Sequence, residues 1–402
     1  MIASKCLRVY MAGLGVLSMW GCGSPSVKDS QWVTIDAKTA SLLRAELPDS
    51  VQLVDSSPSR SVMTIANDSI GKVGAFMHET THRCGGYFAF DNEEDAVAFH
   101  LNGDKMEQHL VGSSFTYTID QNEVVNSLLA QVEPQSIIQT INHLSSYHNR
   151  YYTAASGSDS QNWLLSHWQE LGQGRSDFSV ELFQHNSWPQ PSVIATIQGT
   201  EFPDEIIVIG GHGDSISGWF NQDRASAPGG DDNASGIASI TEALRVLLKS
   251  DWRPKRTLKF MSYAAEEVGL KGSKEVARSF QASGKQVMGV MQLDMTAHVG
   301  ARKLIGLMRD HTDDGLSDFT GALLNEYITE AWINDQCGYA CSDHASWTAA
   351  GYPSVMPFEA TYDETNSKIH TANDTISNAD NTGEHSKKFS QLAIAFLVEI
   401  SK

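Results

Sequence analysis

The sequence predicts an α/β fold: a mixed, largely parallel central sheet with helices on both faces, preceded by a small α+β region. Two observations carry this. Short runs of branched apolar residues recur along the second part of the chain, and helix-length segments separate them. Strands joined through such segments are crossover units, which lay the strands parallel and put helices on the sheet faces.

Taken in order, the chain before about residue 116 is acidic and weakly patterned, with scattered short apolar runs. Beyond it the signals alternate. Residues 205–210 (EIIVIG) read as a strand from their branched apolar run. Residues 234–249 place Ile237, Ile240, Leu244, Leu247 and Leu248 at helical spacing. Residues 257–264 (TLKFMSYA) and 287–295 (VMGVMQLDM) read as two more strands, and 354–358 as a fourth, after Gly351-Tyr352-Pro353. Residues 384–400 form a closing amphipathic helix.

Composition narrows the partners. The 402 residues are 41% hydrophobic and 19% charged, a globular balance with ample length for a core. The 29 Lys and Arg against 48 Asp and Glu leave a net charge of −19, which repels phosphate backbones and excludes nucleic acid. At the N-terminus Lys5 and Arg8 precede an apolar stretch from Val9 to Trp20, followed by Gly21, Cys22, Gly23 and Ser24. That order predicts a signal peptide over residues 1–22 and a secreted or periplasmic protein. Gly21-Cys22 also resembles the end of a bacterial lipoprotein signal. A lipid on Cys22 is the one route to a membrane that the sequence offers.

In parallel sheets ligands bind beyond the carboxyl ends of the strands. Those ends carry Gly210-Gly211-His212-Gly213-Asp214, then Glu266-Glu267, then Asp294, and finally a loop with His370. Asp231-Asp232 precede the helix near Ala234. Singly, each has a plain structural reading: a hydrogen-bonded loop His, a helix start, a solvated turn. Asp294, at the end of an apolar strand, resists that reading because an unpaired buried carboxylate is costly. Together they are the imidazoles and carboxylates that a zinc site needs.

The motifs GGHGDS (210–215), APGGDDNASG (227–236), AAEEVGLKGS (264–273), QLDM (292–295), CGYACSDHASW (337–347) and IHTANDT (369–375) follow one another in the order and spacing of a known family. Residues of about 116–402 resemble the zinc-dependent bacterial leucyl aminopeptidases with two co-catalytic metals. The resemblance implies zinc ligands at His212, Asp232, Glu267, Asp294 and His370. A first grouping sets His212 with Glu267 on one zinc, Asp294 and His370 completing the set. Motif by motif, the family instead pairs the His of GGHxD with the Asp of QLDM, and the second Glu of the EE pair with the His of IHT. Asp232 bridges the two metals, Glu266 is the general base, and Asp214 bonds the far nitrogen of His212. Zinc-activated water would then attack the scissile carbonyl, with the free α-amine of a peptide held at the second metal. Adjacent residues at a strand end point to opposite sides, which lets Glu266 and Glu267 act differently. Met295, Tyr339, Phe358, Tyr362 and Ile369 match the family's apolar pocket, implying a preference for Leu-like N-terminal residues, and Tyr339 is a candidate oxyanion donor.

Cys337 and Cys341 read as a local disulfide around Tyr339; a small zinc site with His344 is the alternative, with no evident fourth ligand. His78, His82 and Cys84 have the look of a metal cluster, but HRCGGY (82–87) reads instead as part of a pro-region over residues 23–115, removed by an activating protease from a catalytic domain over 116–402. The resemblance also implies a monomer acting on peptide N-termini. Two other readings remain beside it. One is another exopeptidase or dipeptidase on the same scaffold. The other is a non-catalytic binding domain, which the complete ligand set disfavours.

Overall fold

The computed structural model describes residues 30–81, 86–109, 116–218 and 222–402. The signal-like stretch, Cys22, His82 and Cys84 lie outside these residues. Among the described residues no helix is long and apolar enough to cross a membrane.

The N-terminal unit runs β1 (Ser30–Asp36), α1 (Ala37–Glu46), β2 (Val51–Ser56), β3 (Arg60–Ala66), α2 (Ile70–Thr81), β4 (Phe88–Phe90) and α3 (Glu93–His109). Its strands form an antiparallel sheet in the order β2-β3-β1-β4. Asp36 ends β1 and caps α1, its carboxylate accepting the Thr39 N–H at 2.9 Å, which satisfies an amide the helix itself leaves open.

The larger unit opens with α4 (Asn122–Leu129), α5 (Pro134–Ser145) and α6 (Ala155–Leu171). The sheet strands and helices then follow: β5 (Phe178–Phe183), β6 (Ser192–Ile197), β7 (Phe202–His212), α7 (Ala234–Lys249), β8 (Arg256–Tyr263), α8 (Lys271–Ala282) and β9 (Gln286–Gln292). The chain ends with β10 (Ile305–Met308), α9 (Asp314–Leu323), β11 (Trp332–Asp335), α10 (His344–Ala349), β12 (Ser354–Phe358) and α11 (Glu384–Ile400). The eight strands lie in the order β11-β10-β12-β9-β7-β8-β6-β5. The middle run β12-β9-β7-β8 is parallel, while β6 and β5 on one side, and β10 against β12 on the other, are antiparallel. The mixed, centrally parallel sheet agrees with the sequence expectation, and its antiparallel margins are what the sequence left unnamed.

Alternation along β7 splits the core into two layers. Ile207 and Ile209 face α5, α7 and α11, whereas Ile206 and Val208 face α8 and α10. Helix α7 is buried from Ala234 to Leu248, not only on its apolar stripe. Small residues (Ala234, Ser235, Gly236, Ala238, Ser239) let the sheet and α11 approach it from several sides. Its cap is Asn233, whose side chain accepts the Gly236 N–H at 3.0 Å. Asp231-Asp232 are thereby left free of capping duty.

Because β7, β8, β9 and β12 are parallel, their carboxyl ends open on one edge of the sheet. That edge is where the candidate site lies.

Candidate metal centre and active site

His212 is the last residue of β7. Asp294 follows β9 by two residues, and Glu266 and Glu267 follow β8 by three and four. The loop beyond β12 brings His370, and the segment before α7 brings Asp232. These five proposed ligands assemble as two buried triads, His212-Asp232-Asp294 and Asp232-Glu267-His370, with Asp232 common to both. Asp232 Oδ1 lies 3.0 Å from His212 Nε2, and Oδ2 lies 3.2 Å from His370 Nε2. Asp294 is 3.2 Å from His212, and Glu267 is 2.8 Å from His370. His212 and Glu267 therefore sit in different triads; the grouping that put them on one zinc is corrected by this geometry.

The surroundings favour positive charge. Burial pushes Glu266 well above the usual carboxylate range, helped by nearby Asp343, Glu267 and Asp294. Burial likewise raises Glu267, to about 7. Burial opposes ionisation of Asp232 too, yet its bonds to His212 and His370 hold it below the ordinary range. Both imidazoles are pulled well above their usual value: burial works against this, and Asp294 and Glu267 outweigh it. Glu267 Oε1 is buried without a hydrogen-bond partner. A cluster of carboxylates and imidazoles with an orphaned oxygen fits divalent cations, which satisfy such donors without protons.

The supporting contacts differ in part from expectation. Asp214 does approach His212, its Oδ1 3.4 Å and its carbonyl oxygen 3.2 Å from Nδ1. Its carboxylate also accepts the N–H groups of Glu266, at 3.0 Å, and Glu267, at 3.2 Å. The Glu pair is not at a strand end. It sits in a turn entered through Ala265, a non-glycine at φ 54°, a conformation that costs energy and persists where the surroundings enforce it. The different surroundings of the two side chains, Glu266 on the cavity and Glu267 against His370, are set by this turn and Asp214 and not by strand alternation. Ser342 Oγ donates to Asp294 Oδ2 at 2.5 Å. Arg150, also fully buried, donates to the carbonyls of Gly213, Leu144, Pro228 and Gly229, tying the His212 loop to the Asp232 loop. Neither Ser342 nor Arg150 was expected: a lone Ser or Arg carries no spacing signal.

A cavity of about 610 Å³ opens over His212, Asp232, Glu266 and Asp294. Its apolar wall holds Met295, Tyr339, Phe358, Tyr362 and Ile369, together with Met308 and Met356, which the sequence reading did not name. Tyr339 and Tyr362 meet edge to face with hydroxyls 3.4 Å apart. Cys337 and Cys341 form a disulfide in the same wall, so the alternative zinc site with His344 does not form. The His344 ring instead meets the Asp310 carbonyl at 3.0 Å.

No described residue before Thr116 lines this cavity. The N-terminal unit docks beside it, on the turn that follows the Glu pair. The Ala89 N–H donates to Gly269 O at 3.1 Å, and Gln31 Nε2 to Val268 O at 3.4 Å. Trp32, Val62, Phe88, Phe90 and Ala96 share one apolar cluster with Leu270, Ala340 and Ala345. Gly269 has φ +103°, and a Cβ there would lie 2.7 Å from Ala89 Cβ and 2.8 Å from the Tyr87 ring. Gly269→Ala is therefore expected to destabilise the chain by about 1–3 kcal/mol. A urea midpoint equal to wild type would contradict this packing.

Residues 192–395 match the model of peptidase family M28. The chain is 35% identical over 302 residues to Leucine aminopeptidase 1 of Coccidioides posadasii, covering 72% of this chain and 76% of that protein. The chain belongs to peptidase family M28.

Other M28 relatives agree. A probable leucine aminopeptidase of Arthroderma otae is 36% identical over 294 residues, 72% of this chain and 79% of its own length. Among solved structures, Legionella pneumophila LapA aminopeptidase superimposes with TM-score 0.80 at 29% identity, over 92% of this chain and 98% of its own. LapB of the same organism gives 0.79 at 32% identity, over 92% and 99%. Residues 116–402 are only 287 of 402, so both superpositions extend well into the N-terminal unit. The M28 chain described here is thus a peptide hydrolase of leucine aminopeptidase type, in a family whose members depend on metal.

Proposed function

We propose that this protein is an exported, zinc-dependent aminopeptidase that removes N-terminal residues with large apolar side chains from peptides. The observation that carries the reading is the pair of triads joined through Asp232 at the floor of an apolar cavity. His212, Asp232 and Asp294 would hold one zinc, and Asp232, Glu267 and His370 the other. When bound, the two ions supply Lewis acidity and lower the pKa of water.

The chain's own residues do the rest. Glu266, on the cavity wall and outside both triads, accepts a proton from the attacking water and delivers it to the leaving amine. Its burial favours the protonated form, which suits it to take that proton from water. Met295, Met308, Met356, Phe358 and Ile369 bury the first side chain of the substrate, and Tyr339 donates to the developing oxyanion. A free N-terminal amine suits a floor of carboxylates; an acetylated one does not.

The residues 23–115 are proposed to be a pro-region removed by another protease. Mass spectrometry of the native exported protein tests this. A fully active product that retains them refutes it.

The decisive experiment compares leucine 4-nitroanilide with its N-acetyl form, before and after chelation and zinc repletion. Zinc-restored cleavage of the free-amine substrate alone is expected. Equal cleavage of both, or none by zinc-loaded protein, rejects the reading.

A further inference from the structure

The shared ligand Asp232 and the Glu266-Glu267 pair carry the chemistry proposed above, and Asp232 is itself one of an acid pair, Asp231-Asp232. Each pair is gripped through its backbone by a carboxylate that belongs to neither triad. For the Glu pair that carboxylate is Asp214, one oxygen on each amide. For the Asp pair it is Asp374. Asp374 Oδ1 accepts the Asp231 N–H at 3.0 Å, and Oδ2 accepts the Asp232 N–H at 3.0 Å. A carboxylate with one oxygen on each of two successive amides fixes both the position and the tilt of the peptide plane between them. For Asp374 those two bonds favour the ionised carboxylate, against the burial and the neighbouring Asp231 and Asp232 that raise it.

We infer that Asp374 is a positioning residue for the shared ligand Asp232, and through it for both metal triads. The inference rests on the metal reading above. Asp374 is 1% exposed, and its own carbonyl accepts the Gly230 N–H at 2.9 Å. A Cβ at Gly230 would lie 2.8 Å from the Ile376 nitrogen and 3.0 Å from Thr375, so the two loops interlock with no space for a side chain. On the far side of Asp232, Asn233 is anchored three ways. Its Oδ1 accepts the N–H groups of Gly236 and Met295, and its Nδ2 donates to Leu293 O at 3.0 Å. Asp232 is therefore held between two fixed points, one on the His370 loop and one on the Asp294 loop.

Asp231 does not compete for this role. Its side chain accepts from Ser235 Oγ, the Ala297 N–H and Asn366 Nδ2. Asp374, by contrast, follows His370 by four residues in the same loop. That loop supplies one ligand directly and grips the shared ligand indirectly. Buried Arg150 lies within electrostatic reach of Asp374, Asp214 and Asp232 and offsets the negative charge gathered there.

The test uses the full chain. Asp374→Asn keeps one acceptor oxygen but turns an amide N–H toward the other backbone N–H; Asp374→Ala removes both acceptors. Zinc affinity is measured by titration against a chromophoric chelator. The absorption spectrum of the cobalt-loaded protein reports ligand geometry, and melting of the metal-free protein reports folding. Metal-free Asp374→Asn is expected to fold and to melt below wild type because a buried N–H loses its acceptor, while its zinc affinity falls about 10–100-fold and its cobalt spectrum changes. If Asp374→Ala does not fold, Asp374→Asn decides. Wild-type affinity and spectrum in folded Asp374→Asn overturn the inference. Failure of metal-free Asp374→Asn to fold overturns it too, by assigning the residue to the fold alone. A wild-type chain that takes up no zinc overturns the metal reading itself, a result distinct from either.

Discussion

Replacing Glu266 by glutamine is expected to lower kcat by about 10²–10⁴-fold while leaving metal uptake intact. The two effects separate because of how the turn is held. Asp214 grips the backbone amides of residues 266 and 267, not their side chains, so the substitution leaves that grip in place. Glu267 then keeps its place beside His370. Glutamine matches the volume of glutamate but cannot accept the proton. Steady-state kinetics beside zinc stoichiometry checks both halves. A kcat within tenfold of wild type would remove Glu266 from the proposed proton transfer, and loss of zinc would make it a ligand instead.

Asp232→Asn should act on metal before chemistry. Each carboxylate oxygen of Asp232 serves one triad, Oδ1 facing His212 and Oδ2 facing His370. An amide leaves one oxygen and places a donor at the other position, so at most one triad keeps a complete set. Zinc capacity is expected to fall from two ions to one or none. The loss of several kcal/mol of transition-state stabilisation corresponds to about 10²–10³-fold or more in kcat. Elemental analysis after dialysis reads the first quantity. Full retention of both ions would mean that Asp232 does not bridge.

The residues legible in the sequence were those whose chemistry and position share one short stretch of chain. His212 and Asp294 follow apolar strands, and a polar ligand type at the end of such a run is visible without the fold. The bounds of α7 were visible because a periodic apolar segment fills them from Ala234 to Lys249. Asp374 and Arg150 were not visible. Their partners are backbone groups supplied by distant segments, 143 residues away for the Asp374 bond to Asp231. A backbone amide has no sequence signature. Strands β5 and β10 escaped for another reason. Each is short and pairs antiparallel with its inner neighbour in the sheet. The turn at Ala265 escaped because alanine gives no hint of a left-handed backbone.

The seam at Gly269 bears on the proposed removal of residues 23–115. A single cut between His109 and Thr116 would sever the chain without parting the two units. Ala89 would still donate to Gly269, Arg278 would still pair with Asp95 at 3.0 Å, and the cluster around Phe90 and Leu270 would stay buried. Maturation would then have two clocks: a fast one for proteolysis and a slower one for departure of a fragment that remains bound. Separation of the two fragments on a native sizing column would lag behind the appearance of the cut on a denaturing gel. The length of that lag would measure the lifetime of the seam.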